Sequence, residues 1–192
     1  MKNKFKHIIF SLFLVAITIS CNKSLTPKEK EAYLVKGKEI SKESFKTLSG
    51  KLKEQLQKGG VVHAIPFCNS EALPITKELS KKFNVSIKRT SNKIRNIKNN
   101  STARELEVVE KFITLKENNK ELAPIVEVGK NDKIHFYAPI IMKNNCLVCH
   151  GTVGQEISVK NDSIIKLLYP NDKATNYKEG DVRGIWSITF DK

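Results

Sequence analysis

Apolar residues between Pro27 and Lys58 recur in steps of three and four. Ile40 or Ser41, Phe45, Leu48, Leu52 and Leu56 fall on that spacing, with lysine and glutamate between them. Such a rhythm lines one face of a helix, so the stretch predicts one long amphipathic helix. Gly59 and Gly60 predict its end, and Gly50 weakens it from within. VVHAIPFC (61–68) is apolar and reads as extended, leading into a short helix from Ser70 to Phe83 with Pro74 in its first turn. VSIKR (85–89) alternates as a strand does, and SNKIRNIKNN (91–100) has the polar, asparagine-rich composition of a loop.

Thr102, followed three residues later by Glu105, has the pattern of a capping box. It opens a predicted helix whose apolar stripe is Leu106, Val109, Phe112 and Ile113. APIVEV (123–128) and KIHFYAPI (133–140) flank a short glycine-led turn and predict a hairpin. A short helix near 161–168, a long loop (169–181) and a final strand GIWSITF (184–190) complete the chain. Helices precede and interrupt an antiparallel sheet, so the expected class is α+β in one domain over 30–192.

The start of the chain has a different pattern. MKNKFKH is lysine-rich, and the apolar run IIFSLFLVAITIS ends at Cys21. Together they read as an export signal over 1–20, too short for a comfortable membrane span. Ser20 and Cys21 resemble the end of a bacterial lipoprotein signal, although Thr18 stands where leucine is usual. A lipidated Cys21, with 21–29 as tether, would hold the domain to a membrane of the bacterial cell envelope on its extracytoplasmic side. The net charge of +14 raises nucleic acid as a partner, but the lysines are spread along helices rather than interleaved with aromatics. They read as solvated helix faces, and no nucleic acid is expected.

Export also changes the cysteine arithmetic. With Cys21 lipidated, three of the four cysteines remain, Cys68, Cys146 and Cys149, and one disulfide would leave a thiol over. In CLVCH (146–150) two cysteines three apart are followed at once by histidine, the pattern that attaches c-type haem. Cys146 and Cys149 would bond the porphyrin and His150 the iron. A thioredoxin-like pair belongs near a βαβ unit, a structural zinc needs four clustered ligands, and a plain disulfide leaves His150 without a role. The sixth iron position stays open on chemistry alone, between Cys68, His63, His135, Met142 and a vacant site. Cys68 is the thiol left over, and iron can hold a thiol as thiolate.

HAIPFCNSEALP (63–74), KRTSNKIRN (88–96), FYAPIIMKNNCLVCHG (136–151) and YPNDKATNYKEGDVRG (169–184) together resemble the DUF3365 or Tll0287-like haem domain. The likeness spans roughly 30–190. It implies a PAS-like fold, an antiparallel sheet with long flanking helices, and one covalent haem c with histidine on one side and cysteine thiolate on the other. Carried onto this chain, the ligands are His150 and Cys68. Arg89, Ser91, Arg95, Asn96 and Glu105 stand at matching positions, as do Pro170, Asp172, Ala174, Tyr177, Gly180, Asp181, Arg183 and Gly184. Ile97 and Ser101 replace usual prolines, and Asn176 fills a common glycine position.

Arg89, Arg95 and Arg183 are candidates for the haem propionates, because the guanidinium fork suits carboxylates. The bland alternative is an ion pair with Glu105 or Asp181. Tyr177, Phe136 and Tyr137 are candidate walls or ordinary core. Single-electron transfer at low potential, with a redox partner protein or quinol, is the expected function. A redox or gas-ligand sensor acting through a separate partner is the alternative, and peroxidase-type catalysis ranks last because a filled sixth position keeps peroxide from iron.

Overall fold

The computed structural model describes residues 24–129 and 132–190, so the export signal and Cys21 lie outside the described residues. The first element, α1, runs Pro27–Phe83 and is broken at Gly59 (φ −164°, ψ 27°) and Gly60 (φ 66°, ψ −161°). Residues 27–58 form one arm and 61–83 a second. Thr26 and Glu29 close a capping box at its start, and Asn84 ends it in the left-handed region at φ 50°.

The second arm corrects the expectation of an extended 61–68, since the whole stretch is helical. Pro66 and Pro74 both lie inside it rather than in a first turn, at positions where proline costs about 3 kcal/mol in isolation. Both prolines are exposed, as are Val62 and Ser70 one turn earlier, so water can reach the carbonyls that each proline leaves without a donor. The opposite side buries Ala64, Ile65, Thr76 and Leu79. Tertiary burial of that face outweighs local propensity.

The remaining elements are β1 (Val85–Thr90), a 3-10 turn (Ile97–Asn99), α2 (Ala103–Glu117), β2 (Ile125–Val128), β3 (Ile134–Ile141), a 3-10 turn (Asn144–Cys146), α3 (Leu147–His150), α4 (Val159–Leu168) and β4 (Val182–Phe190). The strands pair antiparallel in the order β1-β4-β3-β2, with the hairpin predicted from 123–140 as β2 and β3. This is an α+β fold with a small antiparallel sheet flanked by long helices, consistent with a PAS-like arrangement.

Alternation sorts the side chains. Val85, Ile87, Ile134, Phe136, Ala138, Trp186, Ile188 and Phe190 share one core cluster with Ile40 and Leu79 of α1. Tyr137, Val182 and Ile185 face α2, against Val108, Val109 and Phe112. The face of α1 toward the sheet is Gly37, Ile40, Ser41 and Ser44, whereas Phe45 is 47% exposed. Gly37 rests directly on the Phe136 ring, an approach that only a residue without Cβ permits. Along α2 the buried residues are Glu105, Val108, Val109 and Phe112, so Val109 and Phe112 of the expected stripe face the core with Ile113 half-buried beside them, whereas Leu106 is exposed. The capping glutamate itself occupies the inward position and turns Leu106 outward.

A bulge interrupts the β3–β4 ladder, where Ile140 pairs Gly184 but Ile141 pairs Val182. Arg183 is the extra residue. Gly184 has φ 154°, with the Thr90 carbonyl against its Cα where a side chain would stand. The bulge re-aims β4 at the end of the sheet where the candidate site lies.

Candidate functional site

The turn Asn144–Cys146 runs straight into the four-residue α3, so residues 146–150 share one helical turn. Offsets of three and four place Cys146, Cys149 and His150 on a common face. Leu147, on another side, is buried with Met142, Ala174 and Tyr177, and Val148 is exposed. All three described cysteines are free thiols and half-buried.

His150 Nδ1 lies 2.8 Å from the Ala174 carbonyl oxygen. A carbonyl only accepts, so Nδ1 carries the proton and Nε2 keeps its lone pair. Burial holds the imidazole pKa well below its usual value, reinforced by Arg183 and Arg95 and further by Arg89, while the Ala174 bond opposes the shift. A neutral ring with one nitrogen anchored on a carbonyl is the form and orientation found in metal-ligating histidines.

Three loops are laced around this turn. Arg95 Nη2 donates to the Cys149 carbonyl at 2.6 Å, to Asp172 Oδ2 at 3.0 Å and to the Ala174 carbonyl at 3.2 Å. Tyr177 N donates to His150 O (3.0 Å), Asn176 N to Gly151 O (2.8 Å), and Lys173 N to Ile94 O (2.9 Å). Asn176 sits at φ 60°, which accounts for glycine being common at that position and for asparagine being tolerated. Tyr177 is buried, edge-on to the His150 ring at 6.3 Å between centroids, with the Lys93 ammonium 4.3 Å and the Arg183 guanidinium 5.3 Å from its own ring centroid.

The second arm of α1 carries Cys68 to the same place. Burial pushes its thiol pKa up, and Arg89 and then Arg95 pull it down. The Cys149 thiol is pushed up to about 11 by burial, with Arg95 lowering it and the Cys68 and Cys146 thiols raising it. Cys68 therefore lies within electrostatic reach of Cys149. Arg89, on β1, stands 5.8 Å from the Trp186 ring centroid and has no carboxylate partner among the described residues. Arg183 Nη1 donates to Lys93 O at 3.1 Å.

Asn69 and Tyr169 also belong to the site; they lie in the family-like stretches 63–74 and 169–184 but outside the candidate residues named from them. Asn69 Nδ2 donates to Leu168 O at 3.3 Å, fastening the Cys68 arm to α4. Tyr169 is buried beside Ile65, and its phenol feels Cys68, Arg95 and Arg89. Asp172 accepts from Ala174 N at 2.8 Å and pairs with Arg95. Glu105, the ion-pair alternative for the arginines, is taken by Lys88 at 2.7 Å.

Other candidates lie elsewhere. His63 Nε2 meets Gln55 Oε1 at 3.0 Å across the glycine break and lines an open groove with Pro66 and Phe67. His135 Nδ1 meets Thr189 Oγ1 at 3.0 Å and its ring stacks on Tyr137. Phe136 is sealed under α1 and Tyr137 under α2, so both are core. Met142 packs with Leu147 and Tyr177, in the cluster that supports His150.

The donor set fits a c-type haem. Two free thiols share a face with a neutral imidazole whose Nε2 is available, and a third thiol approaches among arginines. Positive charge is in surplus: among the described residues Asp172 is the only carboxylate paired with the three arginines, and the buried Nε of Arg95 has no partner. Burial of an unpaired cation and an unsatisfied donor is costly, and two propionates would answer both. No group of three or more His, Cys, Asp or Glu side chains is placed to hold a metal ion among the described residues, whereas iron already held by a porphyrin needs only two protein donors.

The family model described as Tll0287-like matches residues 17–190. The fold is similar to the crystal structure of the cyanobacterial heme-protein Tll0287, with a TM-score of 0.58 and 20% identity, over 88% of this chain and 98% of that one. No curated protein matches the chain.

Proposed function

The chain belongs to the Tll0287-like family, and from that premise we propose that it binds one covalent haem c and exchanges single electrons with a redox partner protein or quinol. The observation that carries this reading is the single helical turn holding Cys146, Cys149 and His150, with the imidazole fixed by Ala174 and Cys68 brought alongside. When bound, haem supplies a one-electron ferric/ferrous couple.

The residues divide the work. Cys146 and Cys149 hold the porphyrin through thioethers, and His150 offers Nε2 to iron. Cys68 would be the second protein donor to iron, as thiolate; burial raises its thiol pKa overall and Arg89 and Arg95 only partly oppose that, so the iron itself would have to hold the deprotonated form. Arg89, Arg95 and Arg183 receive the propionates, and Tyr177 walls the His150 side. A thiolate donor favours ferric iron, so the reduction potential is low. Lipidated Cys21 tethers the domain to a membrane of the cell envelope, and no described helix is long and apolar enough to cross one.

The test is the intact mass and absorption spectrum of protein made with haem-maturation machinery. The expected product carries one haem that resists extraction by acid and acetone. Release of the haem, or no added mass, would overturn the proposal. Cys68→Ala then reports on the sixth ligand: the low-spin ferric electron paramagnetic resonance signal should change, and an unchanged signal removes Cys68 from iron. A redox titration completes the set, with a clearly positive potential counting against a thiolate.

One observation favours the sensor as second reading. Cys68 rides on the arm beyond the two-glycine break, so release of the thiolate could move that arm against the sheet. Rapid carbon monoxide binding to the reduced protein, with loss of the thiolate ligand, would support it.

A further inference from the structure

Cys68 rides on an arm that begins at a two-glycine break, so its place opposite His150 depends on what holds that arm. Val61, Ile65 and Asn69 recur every four residues along it and present one face to α4. Ile65 is buried against Ile157, Ile165 and Tyr169, with Val61, Ile164 and Leu168 packed around them. Cys68, three residues after Ile65, lies on the same side of the helix. Asn69 ends the row with a polar contact. Its Nδ2 donates to Leu168 O at 3.3 Å, and its side chain is also hydrogen-bonded to the Tyr169 phenol. Leu168 is the last residue of α4, so its carbonyl has no partner within the helix, and Asn69 supplies one.

The same stretch of chain also holds the histidine. Ala174, six residues after Leu168, accepts from His150 Nδ1 at 2.8 Å. Between the two, Asp172 N donates to Tyr169 O at 2.9 Å, Ala174 N donates to Asp172 Oδ1 at 2.8 Å, and Asp172 pairs with Arg95. Residues 168–174 thus form a bracket, with the Cys68 arm fastened at one end and His150 at the other. Contacts of this kind orient a metal ligand from outside. We propose that Asn69 is a positioning residue that keeps Cys68 at iron through this bracket, and that its loss opens the sixth position to small neutral ligands. The inference rests on the histidine–thiolate reading, because it names what holds one of those two ligands in place.

A second fastening on the same arm gives the control. Ser80 Oγ accepts from Ile87 N at 3.0 Å and ties the other end of the arm to β1. Asn69→Ala and Ser80→Ala each remove side-chain hydrogen bonds from this arm, one beside Cys68 and one away from it. Both are made as haem-loaded, full-length protein. Thioethers then occupy Cys146 and Cys149 and leave Cys68 as the free sulfur among the described residues. Two rates are read. The first is carbon monoxide binding to the ferrous protein at saturating gas, which is limited by departure of the sulfur. The second is alkylation of the Cys68 peptide by iodoacetamide, followed by mass. Each event begins when the bond between sulfur and iron breaks, and iodoacetamide then forms a carbon–sulfur bond with release of iodide.

Asn69→Ala should raise both rates by about threefold or more, as the loss of one net hydrogen bond implies. Ser80→Ala should lower the urea midpoint by a similar amount yet leave both rates within about twofold of the parent. Tyr169→Phe keeps the ring on Ile65 and drops the phenol, and should raise the rates by at least about twofold. It carries the test if Asn69→Ala does not fold. Smaller effects than these would overturn the proposal, because iron alone would then hold the sulfur. Equal acceleration by Ser80→Ala would also overturn it, because the hold would belong to the arm as a whole. Cys68→Ala reports separately whether the sulfur is on iron. An unchanged low-spin ferric signal there defeats the ligand assignment, whereas a changed signal with no effect of Asn69→Ala defeats only the positioning role.

Discussion

Glu105 shows how one residue serves two levels of structure at once. Its carboxylate closes the Thr102 capping box, pairs with Lys88 at 2.7 Å, and is also bonded by Ser187. Burial alone would raise its pKa, but the Lys88, Thr102 and Ser187 bonds outweigh burial and hold it below the usual 4.5. A carboxylate whose folded pKa is depressed adds stability that is fully present above the unfolded value and is lost as pH falls through the folded one. Unfolding free energy measured by urea titration should therefore drop as pH falls below about 4.5. Glu105→Gln should flatten that part of the profile and cost about 1–3 kcal/mol at neutral pH, because Lys88 loses its counter-charge. A profile identical to that of the parent protein would remove Glu105 from the acid response. Tyr177 and Tyr169 are residue-scale cases of another kind: aromatics whose position beside His150 and Cys68 no spacing along the chain could reveal.

Among the elements, β4 and α1 decide where the site stands. The bulge in β4 depends on Gly184, whose φ of 154° and contact with the Thr90 carbonyl leave no room for a side chain. Gly184→Ala should cost about 2–4 kcal/mol, read from the urea midpoint. Gly50→Ala is the control: Gly50 is helical with open space around it, so alanine should stabilise by about 0.5–1 kcal/mol. A Gly184→Ala protein as stable as its parent would show that the bulge can relax. In α1 the hydrophobic period was legible, and so was the break at Gly59 and Gly60. The face that packs was not, because Gly37 and Ser44 are small rather than apolar and their place is set by Phe136 and its neighbours. The helical state of 61–68 was hidden by Pro66, whose local cost is outweighed by burying Ala64 and Ile65.

At the scale of the whole molecule, the site is held together by Arg95. Its side chain is 14% exposed and that of Asp172 only 5%, and the pair ties the loop after β1 to the loop before β4. Asp172→Ala leaves the guanidinium buried without its counter-charge, which should cost about 3–5 kcal/mol. The penalty should be smaller in haem-loaded protein, where a propionate can serve as counter-ion, and comparison of the two urea midpoints tests this. An equal loss in both forms would place the propionates away from Arg95.

By itself the sequence determined most of the elements, 61–68 excepted, and the local chemistry. Periodicity, capping and turn signals depend on neighbours three or four residues apart, and so does the face shared by Cys146, Cys149 and His150. The tertiary structure decided which residues meet that turn. It brought Cys68, Arg89, Arg95 and Arg183 to it, sent His63 and His135 elsewhere, and gave Asn69, Tyr169 and Asp172 roles that composition does not announce. Contacts of that kind are set by the crossing of two helical arms over a bulged sheet, and they depend on burial and charge summed over the whole chain.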